Sequence, residues 1–337
     1  MILSKISFLR LVLEMRKDLK SVLNVLLVLC AAVFLLFAGV YVFLFRPNFT
    51  RAPMHREEDN IKYFDGNKEF HERHIADKKY ILSLSPKMHE ITSFDGLKLR
   101  AFVLEKENSV GSILLMHGFH SDPLREFATL ARFYYEMGYN VVLPFQRAHG
   151  ESEGKYLTFG VKERFDCRDW LIEITKLYGE NKPLFLEGIS MGCATALMAS
   201  SLDGLPKNLC GIIADCGFTT PYEIMYFVAK KERHLPMSEV ILDMANMMTR
   251  FFAGFDLNDA STLSALKKNT IPVLFIHGTA DDFVPFVMTW QNYEVCKAEK
   301  QLLAVDGAKH AVSNVMAYDK YTKAVKEFLS CYKNNMN

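Results

Sequence analysis

A serine, an aspartate and a histidine, each set just past a short apolar run, are the side chains of this chain best placed for acyl chemistry. The serine sits in Gly188-Ile189-Ser190-Met191-Gly192, between Pro183-Leu184-Phe185-Leu186 and Cys193-Ala194-Thr195-Ala196-Leu197-Met198-Ala199. That order predicts a strand, a sharp turn and a helix, the context in which a G-x-S-x-G serine stands exposed above a sheet. The turn is strained, and two glycines leave room where backbone and sheet crowd together. The following helix aims its N-terminal dipole at developing negative charge. A serine nucleophile also needs a base and a group that orients the base. Asp281, in Ile276-His277-Gly278-Thr279-Ala280-Asp281, and His310, in Asp306-Gly307-Ala308-Lys309-His310, each follow an apolar run. Their chain order, Ser then Asp then His, is the one this motif carries. Two backbone donors for an oxyanion complete the set: the amides of Met191, directly after the serine, and of Phe119, after His117-Gly118. The chemistry predicted is ester hydrolysis through an acyl-enzyme, with no metal and no organic cofactor.

Holding three loops together takes a sheet whose strands end along one edge. The pattern becomes regular at Met88. Met88 to Phe94 and Leu97 to Leu104 alternate around Asp95-Gly96, a hairpin signal. Further strands are expected at Ser112–Met116, Asn140–Phe145, Gly211–Ala214, Pro272–Ile276 and Gln301–Val305. Helical runs lie between them: one starting near Ser121-Asp122-Pro123, one over Val161–Tyr178, and two near Val287–Lys297 and Asn314–Leu329. Alternating strands and helices predict an α/β fold, a mostly parallel sheet covered on both faces and opened by an antiparallel hairpin. Ligands in such sheets bind at the carboxyl edge. Between 218 and 263 the alternation stops, and Phe and Met accumulate. That segment is expected to be a helical cap over Ser190, with Met225, Met247 and Phe251 lining an apolar acyl pocket.

The chain resembles the α/β-hydrolase superfamily. It is most similar to a membrane-tethered bacterial branch near the dienelactone-hydrolase and serine-aminopeptidase-like enzymes. The matching pieces are His117-Gly118-Phe119, Gln146-Arg147-Ala148-His149-Gly150-Glu151-Ser152-Glu153-Gly154, Thr158-Phe159-Gly160, the serine pentapeptide, His277 through Pro285, and Lys309-His310. The resemblance runs from about Met88 to the C-terminus and covers the cap loosely. It implies Asp281 rather than the adjacent Asp282 as the acid, with Asp215, at the end of an earlier strand, as a rival. The same machinery serves peptide or thioester cleavage, and a non-catalytic binding module is the reading from another class. Reading the other residues plainly, His117, His149 and His277 bond within their loops, Arg147 and Glu151 brace a loop, and Cys193 is a packed thiol.

A net charge of +1 over 337 residues gives no whole-protein field for nucleic acid. Seven cysteines show neither metal-ligand spacing nor a small-domain disulfide pattern. From Ser21 to Phe45 there is no charged residue, a stretch matching the hydrocarbon thickness of a bilayer. It lacks the small-x-small end of a cleaved signal, so 21–45 is expected to be an uncleaved transmembrane anchor after a basic segment, 1–20. Lys5, Arg10, Arg16, Lys17 and Lys20 precede it, against Arg46, Arg51 and Arg56 behind, which predicts a cytoplasmic N-terminus and an extracytoplasmic hydrolase domain. Residues 46–87, charged and carrying His55, His71 and His74, are expected to be a solvated linker or irregular extension before the domain at 88–332. The expected partners are the membrane and a small or lipid-like acyl ester.

Overall fold

The computed structural model describes residues 2–51 and 61–334, so Arg56 and His55 fall outside the description. Eight strands form one sheet: β1 (Lys87–Thr92), β2 (Lys98–Leu104), β3 (Gly111–Met116), β4 (Tyr139–Pro144), β5 (Leu184–Ile189), β6 (Leu209–Asp215), β7 (Val273–Gly278) and β8 (Lys300–Val305). Their spatial order is β1-β2-β4-β3-β5-β6-β7-β8. Contacts of β2 with β1 and β4 are antiparallel, and every later pairing is parallel. Gly96, at φ 87°, makes the β1–β2 turn, which pairs Thr92 with Lys98.

The central strands are buried on both faces, as their unbroken apolar sequences require. One face packs on α4 (Pro123–Glu136) and α12 (Tyr318–Tyr332), through Phe127, Tyr134, Tyr321 and Phe328. The other packs on α5 (Glu163–Tyr178) and α6 (Met191–Ala199), through Trp170, Leu171, Ala196 and Leu197. Helix α4 starts where the sequence says it should. Asp122 accepts the N–H groups of Leu124 and Arg125, each at 3.0 Å, and Pro123 occupies the first turn. Between β6 and β7 lie α7 (Pro221–Phe227), α8 (Ser238–Met248) and α9 (Thr262–Leu266), with π-helical turns at Val228–Glu232 and Thr249–Ala253. The insertion is helical, as expected.

Two features differ from the sequence reading. Residues 61–87 are not an irregular spacer or extension: α3 (Lys68–Ser83) is a regular helix, capped by Asn67 on the Phe70 N–H at 3.0 Å. Its buried stripe is Phe70, His74, Asp77 and Ile81. Two polar residues on that stripe erase the apolar periodicity. They are matched across the interface, His74 Nδ1 lying 3.2 Å from Thr129 Oγ1 and Asp77 accepting from Arg132 at 3.0 Å. Phe64, Phe70 and Ile81 belong to the same core as Phe127 and Tyr134.

The second difference is at the N-terminus. A single helix, α1 (Ile2–Val40), runs on through a π-turn at Tyr41–Phe45 into α2 (Arg46–Phe49). It is long and apolar enough to cross a membrane. Its last turns are not a free flank. Val40, Leu44, Phe45 and Phe49 are buried against Met191, Met198 and the cap. Arg51 then donates to the carbonyls of Ser152 at 2.7 Å, Gly154 at 3.3 Å and Gly150. Its charge, counted above as an orientation signal, is a structural clamp.

Candidate active site

Ser190 stands between β5 and α6 at φ 56°, ψ −117°, a strained conformation for a residue with a side chain. Its N–H donates to the Asp215 carbonyl at 2.9 Å. The flanking glycines are there for space. A Cβ on Gly192 would lie 1.8 Å from the Met116 carbonyl oxygen, and one on Gly188 would lie 2.3 Å from the Gly192 oxygen. No larger residue fits either position without moving the sheet.

His310, in the loop after β8, places Nε2 2.9 Å from Ser190 Oγ and Nδ1 2.7 Å from Asp281 Oδ2. Asp281, in the loop after β7, is buried and over-determined. Its Oδ1 accepts the N–H groups of Phe283 at 3.0 Å and Val284 at 2.8 Å, and its Oδ2 also takes His277 Nε2 at 2.9 Å. Burial pushes this carboxyl up, but hydrogen bonds from His277 and His310 outweigh it and hold it at about 2. An ionised Asp281 fixes the proton on His310 Nδ1 and leaves Nε2 free to accept the serine proton. The rival acids stand elsewhere: Asp282 is exposed, and Asp215 is buried under the turn with its carboxyl pushed well up by burial.

Phe119 lines the cavity that holds Ser190, and Met191 is the first residue of α6 after it. Gly118, whose Cβ would come within 3.3 Å of Ser190 Cβ, brings the first loop in close. The Gly118 N–H is taken by Glu126 Oε2 at 2.5 Å, which leaves the next amide, Phe119, for a ligand. Among the described residues, neither the Phe119 nor the Met191 N–H has a protein acceptor. His117 and His149 bond within their loops. His117 Nε2 accepts the Gln146 N–H at 3.0 Å, and burial pushes His117 down to about 4, so it stays neutral. Arg147 is buried between Asp166 and Asp95 and braces its loop, while burial pushes the Cys193 thiol well up. Cys216, Asp281 and His310 have ligand atoms within 4.8 Å of one another, but two of these three are already committed to the hydrogen-bonded relay.

The cavity at Ser190, about 440 Å³, is lined by Lys62, Tyr63, Phe119, His120, Ser121, Arg125, Glu126, Phe283, His310 and Ala311. The residues expected to line it are not there, which corrects the pocket reading. Met225 is buried core beside Met191, and Met247 and Phe251 face the N-terminal helix. The sequence reading missed Tyr63, Arg125 and Glu126. Arg125 lies 4.6 Å over the Tyr63 ring, and Glu126 is buried. Only the HGF loop ahead of α4 signals that this helix borders a site.

No family model matches the chain. The uncharacterized protein YqkD of Bacillus subtilis is 30% identical over 251 residues, 73% of this chain and 79% of its own length. The Pyrococcus furiosus esterase Pf2001 superposes with a TM-score of 0.60 at 24% identity, over 75% of this chain and 94% of that one. The chain belongs to one family with YqkD and has the α/β-hydrolase fold. Est1E of Butyrivibrio proteoclasticus, solved with ferulic acid, shares the fold with a TM-score of 0.54 at 18% identity, over 72% of this chain and 98% of its own. The uncharacterized membrane protein YNL320W of Saccharomyces cerevisiae is 24% identical over 238 residues, 70% of this chain and 76% of its own length.

Proposed function

We propose that this α/β-hydrolase cleaves carboxylic esters through an acyl-enzyme on Ser190. The observation that carries the reading is the unbroken relay Ser190 Oγ–His310 Nε2 at 2.9 Å and His310 Nδ1–Asp281 Oδ2 at 2.7 Å, on a serine held at φ 56°. His310 takes the serine proton as Oγ attacks the carbonyl carbon. The oxyanion is received by the Phe119 and Met191 amides, and collapse expels the alcohol, which His310 protonates. Water then attacks the acyl-enzyme with His310 as base, releasing the acid and restoring the serine. Asp281 stays ionised throughout and stabilises the imidazolium.

The cavity beside Ser190 favours an ester with a polar group near the reacting carbonyl, because Lys62, Arg125 and Glu126 line it. Helix α1 holds the enzyme in a membrane, its N-terminus on the cytoplasmic side and the hydrolase domain outside. Matched p-nitrophenyl esters, anilides and thioesters, assayed with the parent and Ser190→Ala, test the reaction. Ester turnover that vanishes in S190A is the expected result. Faster anilide than ester turnover would make it a peptidase, and unchanged turnover in S190A would refute the nucleophile.

A further inference from the structure

The exposed stripe of the cap lies beside the apolar helix and away from Ser190. Along α8 and the turn after it, Val240, Met247 and Phe251 fall seven and four residues apart, which is one helical face. All three are exposed, Phe251 to 82%. Large apolar side chains gathered on one face mark a contact surface. Met247, Phe251 and Phe252 form one wall of an apolar groove of about 400 Å³, and Phe34, Phe37 and Tyr41 of α1 and its π-turn form the other. The Phe252 ring is 5.7 Å from that of Tyr41.

The depth of that groove follows from the sequence of α1. Lys20 is its last charge, so immersion begins near Ser21. About 20 residues, at about 1.5 Å each, cross a hydrocarbon core of about 30 Å and end near Val40. Phe34 then lies about 9 Å inside the far boundary of the hydrocarbon. The domain does not swing on this helix. Val40, Leu44, Phe45 and Phe49 are buried in it, and Arg51 is clamped to three carbonyls. A rigid dock carries Met247 and Phe251 to the depth of the span residues they face, and Val240 continues their face along α8.

We propose that the Val240–Met247–Phe251 face is a second membrane-contact surface, immersed in the leaflet that surrounds Phe34–Tyr41, with a lipid acyl chain filling the groove. The proposal rests on α1 spanning the bilayer. A lipid is the occupant because half of the groove wall is that helix. The groove shares no lining residue with the Ser190 cavity, so the chain in it is a bilayer lipid and not substrate.

The test uses the full chain, one copy per nanodisc, in phospholipid brominated midway along one acyl chain. A tryptophan is placed by Phe251→Trp, Val240→Trp, Phe34→Trp or Val110→Trp, and the emission of the parent, which has two tryptophans, is subtracted. Val110 is exposed and precedes β3, at the edge of the sheet opposite the site. The added emission of F251W and V240W should be lost to brominated lipid as fully as that of F34W, while V110W keeps its own. Quenching of F34W with F251W and V240W as bright as V110W would overturn the immersed cap alone. An unquenched F34W would overturn the spanning helix and the proposal with it.

Discussion

His277 Nε2 lies 2.9 Å from Asp281 Oδ2, the same oxygen that His310 Nδ1 reaches at 2.7 Å. His277 Nε2 also faces the Val284 carbonyl at 2.9 Å. Both neighbours are acceptors, so Nε2 carries the proton and the Thr289 hydroxyl, 2.6 Å from Nδ1, donates to the ring. His277 is a positioning residue that acts through Asp281. His277→Ala should lower kcat by roughly 10- to 100-fold with little change in KM. Without that hydrogen bond, burial pushes the Asp281 carboxyl up, so the acid limb of the kcat profile should move to higher pH. His277→Gln, which keeps an N–H donor, should recover part of both. A profile unmoved by H277A would reduce His277 to packing.

Asp281→Asn removes the charge that selects the His310 tautomer while keeping the shape. The expected loss in kcat is about 10⁴-fold, as in other serine triads. Asp215→Asn should leave kcat within a few-fold, because Asp215 does not contact His310. Equal losses from both variants would reopen the assignment of the acid.

Glu187, on β5 three residues before the serine, is buried and accepts from the hydroxyls of Tyr134 and, at 2.8 Å, Tyr321. Burial outweighs those hydrogen bonds and pushes its carboxyl from the ordinary 4.5 up to about 7. A raised acid binds its proton more tightly in the folded state. Its contribution is therefore complete below about pH 4.5 and is lost as pH rises through about 7, with a slope of at most about 1.4 kcal/mol per pH unit. Glu187→Gln stays neutral, so its Tm should fall less steeply than the parent's across that window. Parallel Tm curves would contradict the raised carboxyl.

Arg51→Ala removes three hydrogen bonds to the 150–154 loop. Limited proteolysis of the detergent-solubilised chain should cut faster near residues 46–60 in R51A, with ester turnover retained. An unchanged cleavage rate would mean that Phe45 and Phe49 alone hold the helix end.

The strands and the serine turn were legible because their signals are local. Short apolar runs end at small residues, and a side chain at 188 would strike the Gly192 backbone and one at 192 the Met116 carbonyl. Helix α3 was not legible, since its buried stripe carries His74 and Asp77, whose partners Thr129 and Arg132 lie over 50 residues away. The cap was legible as a helical insertion but not in direction. A stripe of Met247 and Phe251 has the same period whether it faces a catalytic cavity or another helix. Tyr63, Arg125 and Glu126 meet at the cavity only through tertiary packing, and no spacing links them.

The most direct test of the account is covalent capture of the nucleophile. The full chain is treated with a fluorophosphonate and mapped by peptide mass spectrometry. One adduct is expected, on Ser190, absent in S190A and formed far more slowly in His310→Ala, with stoichiometry matching the loss of ester turnover. No adduct at Ser190 while ester turnover persists, or an adduct on another residue that abolishes turnover, would contradict it.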